Sequence, residues 1–194
     1  MPDQATALLV MDVQDGIAER FAETGLLERL QKAIVAAREH GLAVIYVRVA
    51  FRRGYPEVSV RNRGFSAIAG TDRLIDAETG IHEAVAPQAD EPIVTKKRVS
   101  AFTGSDLEVI LRGGEIRSLV LSGIATSGVV LSTLRQAADM DYELTVLSDA
   151  CADGDEEVHR VLTEKVFPRQ AEVVSVEEWA SALASGAGAS PRTP

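Results

Sequence analysis

Three positions combine chemically active residue types with the predicted ends of buried strands. Asp12 closes the first predicted strand, Lys96 closes a later one, and a tight turn at 123–129 follows a third. A carboxyl group can transfer protons, an ammonium can support developing negative charge, and a turn from strand to helix commonly presents a nucleophile beside a backbone N–H. The combination predicts a functional site, provided that the fold brings the three strand ends together.

The elements that must position these residues follow from alternating apolar runs and helical patterns. Strands are predicted at 6–13, 42–49, 91–96, 116–123, 142–150 and 171–176, and helices at 24–39, 105–112, 156–167, 177–184 and from the turn to about Met140. Ser105 and Glu108 have the spacing of a capping box at the start of one of these helices.

The alternation predicts an α/β fold, a three-layer α/β/α sandwich with a six-stranded parallel sheet in the order 3-2-1-4-5-6. Residues 1–185 are expected to form one domain with an irregular stretch at 50–70, and residues 186–194 a solvated tail or subunit-exchange arm. The first and fourth strands are then neighbours. Asp12 and the turn therefore face one crevice beyond the carboxyl ends of the strands, where ligands bind in such sheets.

Composition narrows the class of partner. The net charge of −9 argues against general affinity for nucleic acid, and no apolar run approaches the roughly 20 residues of a membrane helix. One cysteine and three scattered histidines leave no Cys/His cluster at metal-site spacing. We expect a soluble, cytoplasmic protein that binds a small molecule, neither nucleic acid nor membrane, and that needs no metal or other cofactor.

Each of the three features also has a purely structural interpretation. An Asp after a strand is often a helix cap or a turn former, and the basic run KKR at 96–98 has the character of a solvated face. Small residues after the fourth strand can serve only to pack helix against sheet. Their coincidence at three strand ends of one sheet favours the functional interpretation.

Three longer segments carry a family resemblance that spans nearly the whole chain. LLVMDVQDGI is similar to a first-strand motif, VTKKRVSAFTGSDLEVILR to a lysine segment, and LSGIATSGVVLSTLRQAADMDYELTVLSDACAD to a nucleophile segment. All three resemble the isochorismatase-like hydrolase superfamily, which includes isochorismatases, nicotinamidases and carbamoylsarcosine-type amidohydrolases. The resemblance implies that Asp12 and Lys96 are catalytic and that the protein is a homo-oligomer, a dimer or a tetramer.

In the cysteine-hydrolase branch, the resemblance implies an Asp general base and a cysteine nucleophile four residues after the Ala of GIAT. That position is Val129 in this sequence, and Cys151 belongs to a different strand end. A hydrocarbon side chain cannot form a thioester. We therefore expect that amide hydrolysis by the family's covalent route is absent.

The resemblance also has geometric implications for the turn. It implies a cis peptide between Ile124 and Ala125, which turns the N–H of Ala125 inward beside that of Val129. In a relative with a nucleophile, these two N–H groups form an oxyanion hole. Val129 would then occupy the nucleophile position with its side chain directed into the crevice.

Isochorismatases proper also lack the cysteine, and there the resemblance implies that the Asp is a general acid, which protonates an enol ether before water adds. Such an acid must stay protonated near neutral pH, which an apolar crevice favours. Val129 would raise the pKa of Asp12, whereas Lys96 would lower it. Isochorismatases carry a glycine and a longer aromatic and polar signature at this turn, which ATSGV does not reproduce.

The segment RVAFRRGYPEVSVRNR at 48–63 is rich in arginine for an acidic protein. It could be a lid over a substrate carboxylate or an inter-subunit salt-bridge patch, and the sequence favours neither. Metal-binding relatives have an Asp/His cluster in this region, which the sequence does not show. The predicted substrate-binding residues are Gln14, Arg52, Tyr55, Arg98, Phe102 and Ser127.

Several of these side chains have alternative interpretations. Ser127 is more typical of a turn serine than of a nucleophile, because ATSGV lacks the first glycine of G-x-S-x-G. Gln14 either orients Asp12 or satisfies a turn. Cys151 is expected to be a small buried residue, and His159 a surface or core histidine.

Two functional hypotheses follow. The first is a cofactor-free hydrolase that uses Asp12 and Lys96 without a cysteine and acts on a small anionic metabolite. The second is a non-catalytic ligand-binding or scaffold protein that kept the fold after it lost the cysteine. A phosphoacceptor or nucleotide-binding domain is excluded, because the chain lacks a second acid beside Asp12, an acceptor Asp after the third strand, and any phosphate-binding glycine loop.

Overall fold

The computed structural model describes residues 5–71, 73–76 and 79–186. Its centre is a six-stranded parallel sheet in the order β3-β2-β1-β4-β5-β6, as the sequence predicts. The strands are β1 Thr6–Met11, β2 Ala43–Val49, β3 Ile93–Lys96, β4 Ser118–Ile124, β5 Glu143–Ala152 and β6 Glu172–Val174. The predicted fold class is confirmed.

Helices connect the strands on both faces of the sheet. They are α1 Leu26–Glu39, α2 Arg63–Ala69, α3 Leu107–Gly113, α4 Leu131–Asp139, α5 Glu156–Val161 and α6 Val176–Ala184. A 3-10 turn at Ala18–Thr24 precedes α1, and α5 continues through a widened turn at Leu162–Val166 into a 3-10 turn at Phe167–Arg169.

Two local predictions were wrong. Residues 50–70 are not irregular throughout, because α2 lies within them and begins at Asn62, whose Oδ1 accepts the N–H of Phe65 at 3.1 Å. The capping box expected at Ser105 and Glu108 does not form, because α3 begins at Leu107 and its N-cap residue is Asp106, one position after Ser105. A capping box does form in α6, where Ser175 and Glu178 exchange hydrogen bonds.

Two apolar clusters lie on opposite faces of the sheet, because successive strand residues point in opposite directions. Leu8 and Val10 of β1 pack with α1 and α6, while Leu9 and Met11 pack with α3 and α4. The sheet is thus buried on both faces. This three-layer arrangement explains why its strands read as continuous apolar runs in the sequence.

A close approach of β1 and β4 lies immediately before the predicted turn. Gly123 is paired with Met11 and has a φ of 129°. A Cβ atom at this glycine would lie 1.9 Å from the carbonyl oxygen of Met11, so only a hydrogen fits. On its other side Gly123 is paired with Cys151, since β5 runs two residues past its predicted end at 150.

The predicted tail falls almost entirely outside the described residues, which end at Gly186. Within the ranges given above, the helices are too short or too polar to cross a membrane.

Candidate functional site

The centre of the site is an ion pair between Asp12 and Lys96, buried at the carboxyl ends of β1 and β3. The Lys96 ammonium lies 2.9 Å from Asp12 Oδ2 and also donates to the carbonyl of Arg98 at 3.0 Å. Asp12 has a φ of 55°, and its N–H donates to the carbonyl of Val47 in β2 at 2.8 Å. Lys96 is only 2% exposed. The long Lys side chain thus reaches the end of β1 from the edge strand, across β2.

The two carboxyl oxygens of Asp12 have different environments. Oδ2 is paired with Lys96, whereas Oδ1 is buried and has no hydrogen-bond partner within the described part of the chain. Burial raises the pKa of Asp12 to about 6, against the lowering effects of the charge and hydrogen bond of Lys96. The sequence left open whether burial or Lys96 has the larger effect on the pKa of Asp12. In the structure, burial has the larger effect.

The predicted turn, here called the elbow and defined as Ile124–Val130, leads from β4 into α4. The peptide bond between Ile124 and Ala125 is cis, as the family resemblance implies. Gly128 leaves helical geometry with φ −95° and ψ −105°, and the N–H groups of Gly128 and Val130 donate to the carbonyl of Ala125. The oxyanion hole at Ala125 and Val129 stays a prediction.

Val129 is buried in an apolar cluster at the elbow. It is 2% exposed and shares the cluster with Met11, Phe102 and Cys151. Met11 directly precedes Asp12 in the chain, so this cluster extends to the residue next to the ion pair. Val129, to which the family resemblance assigns the nucleophile position, therefore contributes apolar bulk at the elbow.

Cys151 does not have the surroundings of a reactive nucleophile. It is buried in β5, and its sulfur lies 3.9 Å from the carbonyl oxygen of Leu121. Burial, with a smaller contribution from Asp149, raises the pKa of the thiol to about 12, although a hydrogen bond from the Gly123 backbone acts against the shift. A thiolate is therefore strongly disfavoured here.

Arg98 is held by backbone carbonyls. Its guanidinium donates to the carbonyls of Lys97 at 2.6 Å and Glu57 at 2.9 Å and lies 5.9 Å from the ring centroid of Phe65. It is half-buried and forms no ion pair with a carboxylate of the described residues. Arg98 is linked to the ion pair through its backbone carbonyl, which accepts a hydrogen bond from Lys96.

Arg52 and Tyr55 are committed to contacts within their own region. Arg52 is largely exposed and pairs with Glu57 at 2.7 Å. Tyr55 is buried, and its hydroxyl donates to the carbonyl of Arg73 at 2.6 Å. Arg98, by contrast, is linked directly to the ion pair through the hydrogen bond from Lys96 to its carbonyl.

Gln14 is fully engaged with the end of β2. Its amide donates to the carbonyl of Val49 at 3.1 Å and to Thr79 Oγ1 at 2.9 Å, and its Oε1 accepts the N–H of Val49 at 2.8 Å. The side chain pairs with Val49 as a neighbouring strand would. Of the two interpretations from the sequence, this geometry favours the structural one. The Gln14 side chain satisfies the backbone N–H and carbonyl of Val49, which lie beyond the end of β1.

The sequence did not assign a role to Asp153 or Thr126, which contact the elbow from the β5 side. Asp153 Oδ2 accepts the N–H of Ser127 at 2.7 Å, and Thr126 Oγ1 lies 2.8 Å from Nδ1 of His159 in α5. The acid that ends DACAD was a possible signal for Asp153. No local pattern reveals the pair of Thr126 and His159, which is formed between residues 33 positions apart.

Asp15, Glu19 and His82 bring their potential ligand atoms within 4.8 Å of one another, next to the paired segments 13–15 and 80–82. The contacts of His82 do not suit a metal. Its Nδ1 accepts the N–H of Ala84 at 3.2 Å, so the neutral ring carries its proton on Nε2, and that nitrogen can donate to a carboxylate but has no lone pair for an ion.

Comparisons with known proteins identify the family. The isochorismatase domain model matches residues 6–178. The isochorismatase family protein YecD of Escherichia coli O157:H7 is 33% identical over 186 residues, which cover 93% of this chain and 97% of YecD. The ureidoacrylate amidohydrolase RutB of Stutzerimonas stutzeri is 32% identical over 180 residues, which cover 77% of this chain and 71% of RutB.

Solved structures extend the comparison. An isochorismatase family protein from Burkholderia thailandensis superposes with a TM-score of 0.80 at 27% identity, over 94% of this chain and 97% of that one. A cysteine hydrolase from Pseudomonas syringae pv. phaseolicola 1448A gives a TM-score of 0.86 at 24% identity, over 95% and 96%, which shows the shared fold. The chain belongs to the isochorismatase family of hydrolases.

Proposed function

We propose that this family member hydrolyses a small anionic metabolite with Asp12 as a general acid and without a cysteine nucleophile. The observation that carries the proposal is the asymmetry of the Asp12 carboxyl. Oδ2 is paired with Lys96, Oδ1 is buried without a partner among the described residues, and the pKa is raised to about 6. A proton on Oδ1 would thus have no competing acceptor among the described residues, so a substrate admitted to the site would be the group that receives it.

The reaction begins with transfer of this proton to the substrate. For a vinyl ether, the proton adds to the enol-ether carbon, water adds to the oxocarbenium carbon, and collapse of the hemiketal releases an alcohol and a carbonyl compound. The proton lost from the added water returns to Asp12. Lys96 supports the step because its ammonium, 2.9 Å from Oδ2, stabilises the carboxylate as the proton leaves.

Protonation of Asp12 at neutral pH is partial but sufficient. A pKa of about 6 leaves roughly one-tenth of the carboxyl protonated at pH 7. A general acid works best with a pKa near the working pH. Val129 supports this state, because its apolar side chain adds to the cluster that keeps the strand ends dry.

Arg98 supports an anionic substrate. A guanidinium that forms no ion pair with a described carboxylate has further N–H donors for a substrate carboxylate, and two backbone carbonyls already fix its plane. RutB is an amidohydrolase, but Val129 provides no thiol for an acyl-enzyme here. We therefore favour a bond that breaks after protonation. The proposal includes a cytoplasmic homo-oligomer, a dimer or tetramer, in keeping with the family resemblance.

The test is an untargeted metabolite-depletion screen. Wild type and Asp12→Asn are incubated with the same cell extract at pH 6, and depleted compounds are identified by mass spectrometry. The proposal expects an anionic compound that only the wild type consumes, with products that differ by the addition of water. Equal depletion by both proteins would exclude Asp12 as the acid.

A non-catalytic ligand-binding or scaffold role is the second candidate. The burial of the site favours it, since Lys96 and Val129 are each only 2% exposed and Asp12 Oδ1 is fully covered. In that case the screen shows no depletion by either protein, while binding assays on the same extract still recover a small molecule.

A further inference from the structure

Two side chains hold the elbow from the side of β5 and α5. Thr126 Oγ1 lies 2.8 Å from His159 Nδ1, and the N–H of Ser127 donates to Asp153 at 2.7 Å. Both contacts fall in the first two residues after the cis peptide at Ala125. The start of the turn that carries Val129 is thus tied to the segment that follows β5.

A hydroxyl beside an imidazole is also the arrangement of an activated nucleophile. Thr126 does not fit that role, because it has no exposed surface and its hydroxyl is directed at α5. His159 is half-buried, and burial lowers its pKa, although Asp153 acts in the opposite direction. A neutral imidazole can accept the Thr126 hydroxyl proton at Nδ1. The contact therefore satisfies a buried hydroxyl and joins two elements.

We infer that His159 is a positioning residue for the elbow: through Thr126 it fixes the first turn of the Val129 segment and hence the backbone at the family's nucleophile position. Asp153 provides the second attachment point, since its carboxylate accepts the N–H of the next residue. The inference about geometry is independent of the reaction. Its effect on turnover rests on the proposed function.

Local stability follows from this arrangement. Gly128 and Val130 both donate to Ala125, so the turn is closed by hydrogen bonds to the residue directly before Thr126. Loss of the His159 contact leaves the buried Thr126 hydroxyl without a partner, which costs more than the bond itself contributes. The amides of the elbow should then open more often than those of the sheet.

The chain offers a matched control in the same helix. Thr163 donates its hydroxyl to the carbonyls of His159 and Arg160 at 2.9 and 3.2 Å. It is buried like Thr126 and loses comparable bonds on substitution, but its hydrogen bonds remain within the α5 segment. Thr163→Val therefore tests the effect of loosening α5 without removing the bond to Thr126.

The first measurement is hydrogen exchange of the amides at 126–130 in the whole protein, for His159→Ala, His159→Asn and Thr163→Val. We expect His159→Ala to speed exchange in the elbow by about tenfold, the effect of losing one buried hydrogen bond. Asn should restore much of the protection, because its amide can occupy the place of Nδ1. Equal exchange in His159→Ala and Thr163→Val would overturn the inference.

A second pair of variants covers the case in which His159→Ala does not fold. His159→Gln carries its amide one bond farther from the backbone, near the position of Nε2 rather than Nδ1. The inference expects elbow protection in His159→Asn and its loss in His159→Gln, with sheet amides unchanged in both. Equal protection in the two variants would contradict it.

A third measurement reports on the nucleophile position itself. With Val129→Cys as a reporter, adding His159→Ala should change the rate of alkylation of the new thiol by about tenfold, whereas adding Thr163→Val should not. Neither this rate nor the exchange rate depends on a substrate. A failed metabolite screen with a positive result here would refute the proposed reaction and leave the positioning role intact, and the reverse result would refute the positioning role alone.

Discussion

The carboxyl ends of β1 and β5 flank the elbow, and each carries a buried or half-buried aspartate in a different chemical state. Asp12, after β1, has one oxygen on Lys96 and one without a partner among the described residues, and its pKa is raised to about 6. Asp153, after β5, accepts hydrogen bonds from Ser127 and from the N–H of Asp155. Burial acts to raise its pKa too, but these hydrogen bonds lower it overall.

The difference shows what decides the role of a carboxyl group at this edge of the sheet. Backbone N–H groups stabilise the ionised form directly and need no counter-ion to be brought out of water. Asp153 is therefore a permanent acceptor that fixes the elbow, whereas Asp12 can exchange a proton. The sheet thus places a carboxyl group with a raised pKa on one side of Val129 and a carboxylate that is hydrogen-bonded to the elbow on the other.

The largest expected effect concerns the reactivity of two thiols, one introduced in the elbow by Val129→Cys and the native one of Cys151 in β5. Val129 is as buried as Cys151, so a reactive thiol in Val129→Cys requires that Lys96 and the N-terminus of α4 stabilise the thiolate against this burial. If they do, the new thiol should alkylate about 10³-fold faster than Cys151 at pH 8, because burial raises the pKa of Cys151 to about 12. Mass spectrometry of each cysteine across pH measures both rates. An apparent pKa near 8.5 for the new thiol would mean that Lys96 and the helix no longer activate this position.

The next effect concerns the ion pair. Asp12→Asn and Lys96→Ala should each reduce any measured hydrolysis by about 10²-fold or more, the usual scale for an essential acid or base. Asp141→Asn is the matched control, since this residue lies in the turn before β5, at the opposite edge of the sheet, and Asn tolerates its positive φ. Turnover near that of wild type in either site variant would remove Asp12 and Lys96 from the mechanism.

The pH dependence follows from the raised pKa of Asp12. If the protonated form is the acid, kcat/KM should be highest below pH 6 and fall about tenfold per unit above it. The stability that this group contributes should be fully present below about pH 3.8 and lost as the pH rises through about 6. Carboxyl carbon NMR follows the titration of Asp12 without a substrate. A midpoint near 4 would contradict the acid role.

The smallest effect is expected for Cys151→Ala. The thiol has no chemical role in the proposed reaction, so activity should stay within a few-fold of wild type. The loss of a small buried side chain should lower thermal stability slightly. Steady-state kinetics and a melting curve measure the two quantities. Stoichiometric inactivation of the wild type by iodoacetamide, with protection by substrate, would instead show that Cys151 takes part in the reaction.

The sheet order and the pairing of Asp12 with Lys96 could be predicted from sequence, because buried parallel strands leave long apolar runs and their carboxyl ends meet at one edge. The helix α2 was missed because among its seven residues only Phe65 is buried, so it lacks an apolar period. The capping box at Ser105 was wrong because α3 begins one residue later than the pattern predicted, with Asp106 as its N-cap residue.

The chemical state of the site was less predictable than its position. The sequence indicated that Val129 and Lys96 act on Asp12 in opposite directions, but the outcome depends on how completely the carboxyl is buried. The commitments of Gln14 to Val49 and Thr79, and of Arg98 to the carbonyl of Glu57, join residues far apart in the chain. Such contacts depend on tertiary packing rather than on spacing.

Gly123 has a practical consequence for recombination between relatives. A side chain at Gly123 would collide with Met11 of β1. If a relative differs in the backbone at either position, β1 and β4 must therefore be transferred together in a chimera. A chimera that imports the elbow of a cysteine-bearing relative should therefore keep Gly123 together with β1 and place its junction after Gly123. Libraries that randomise this codon should return glycine almost exclusively among folded clones.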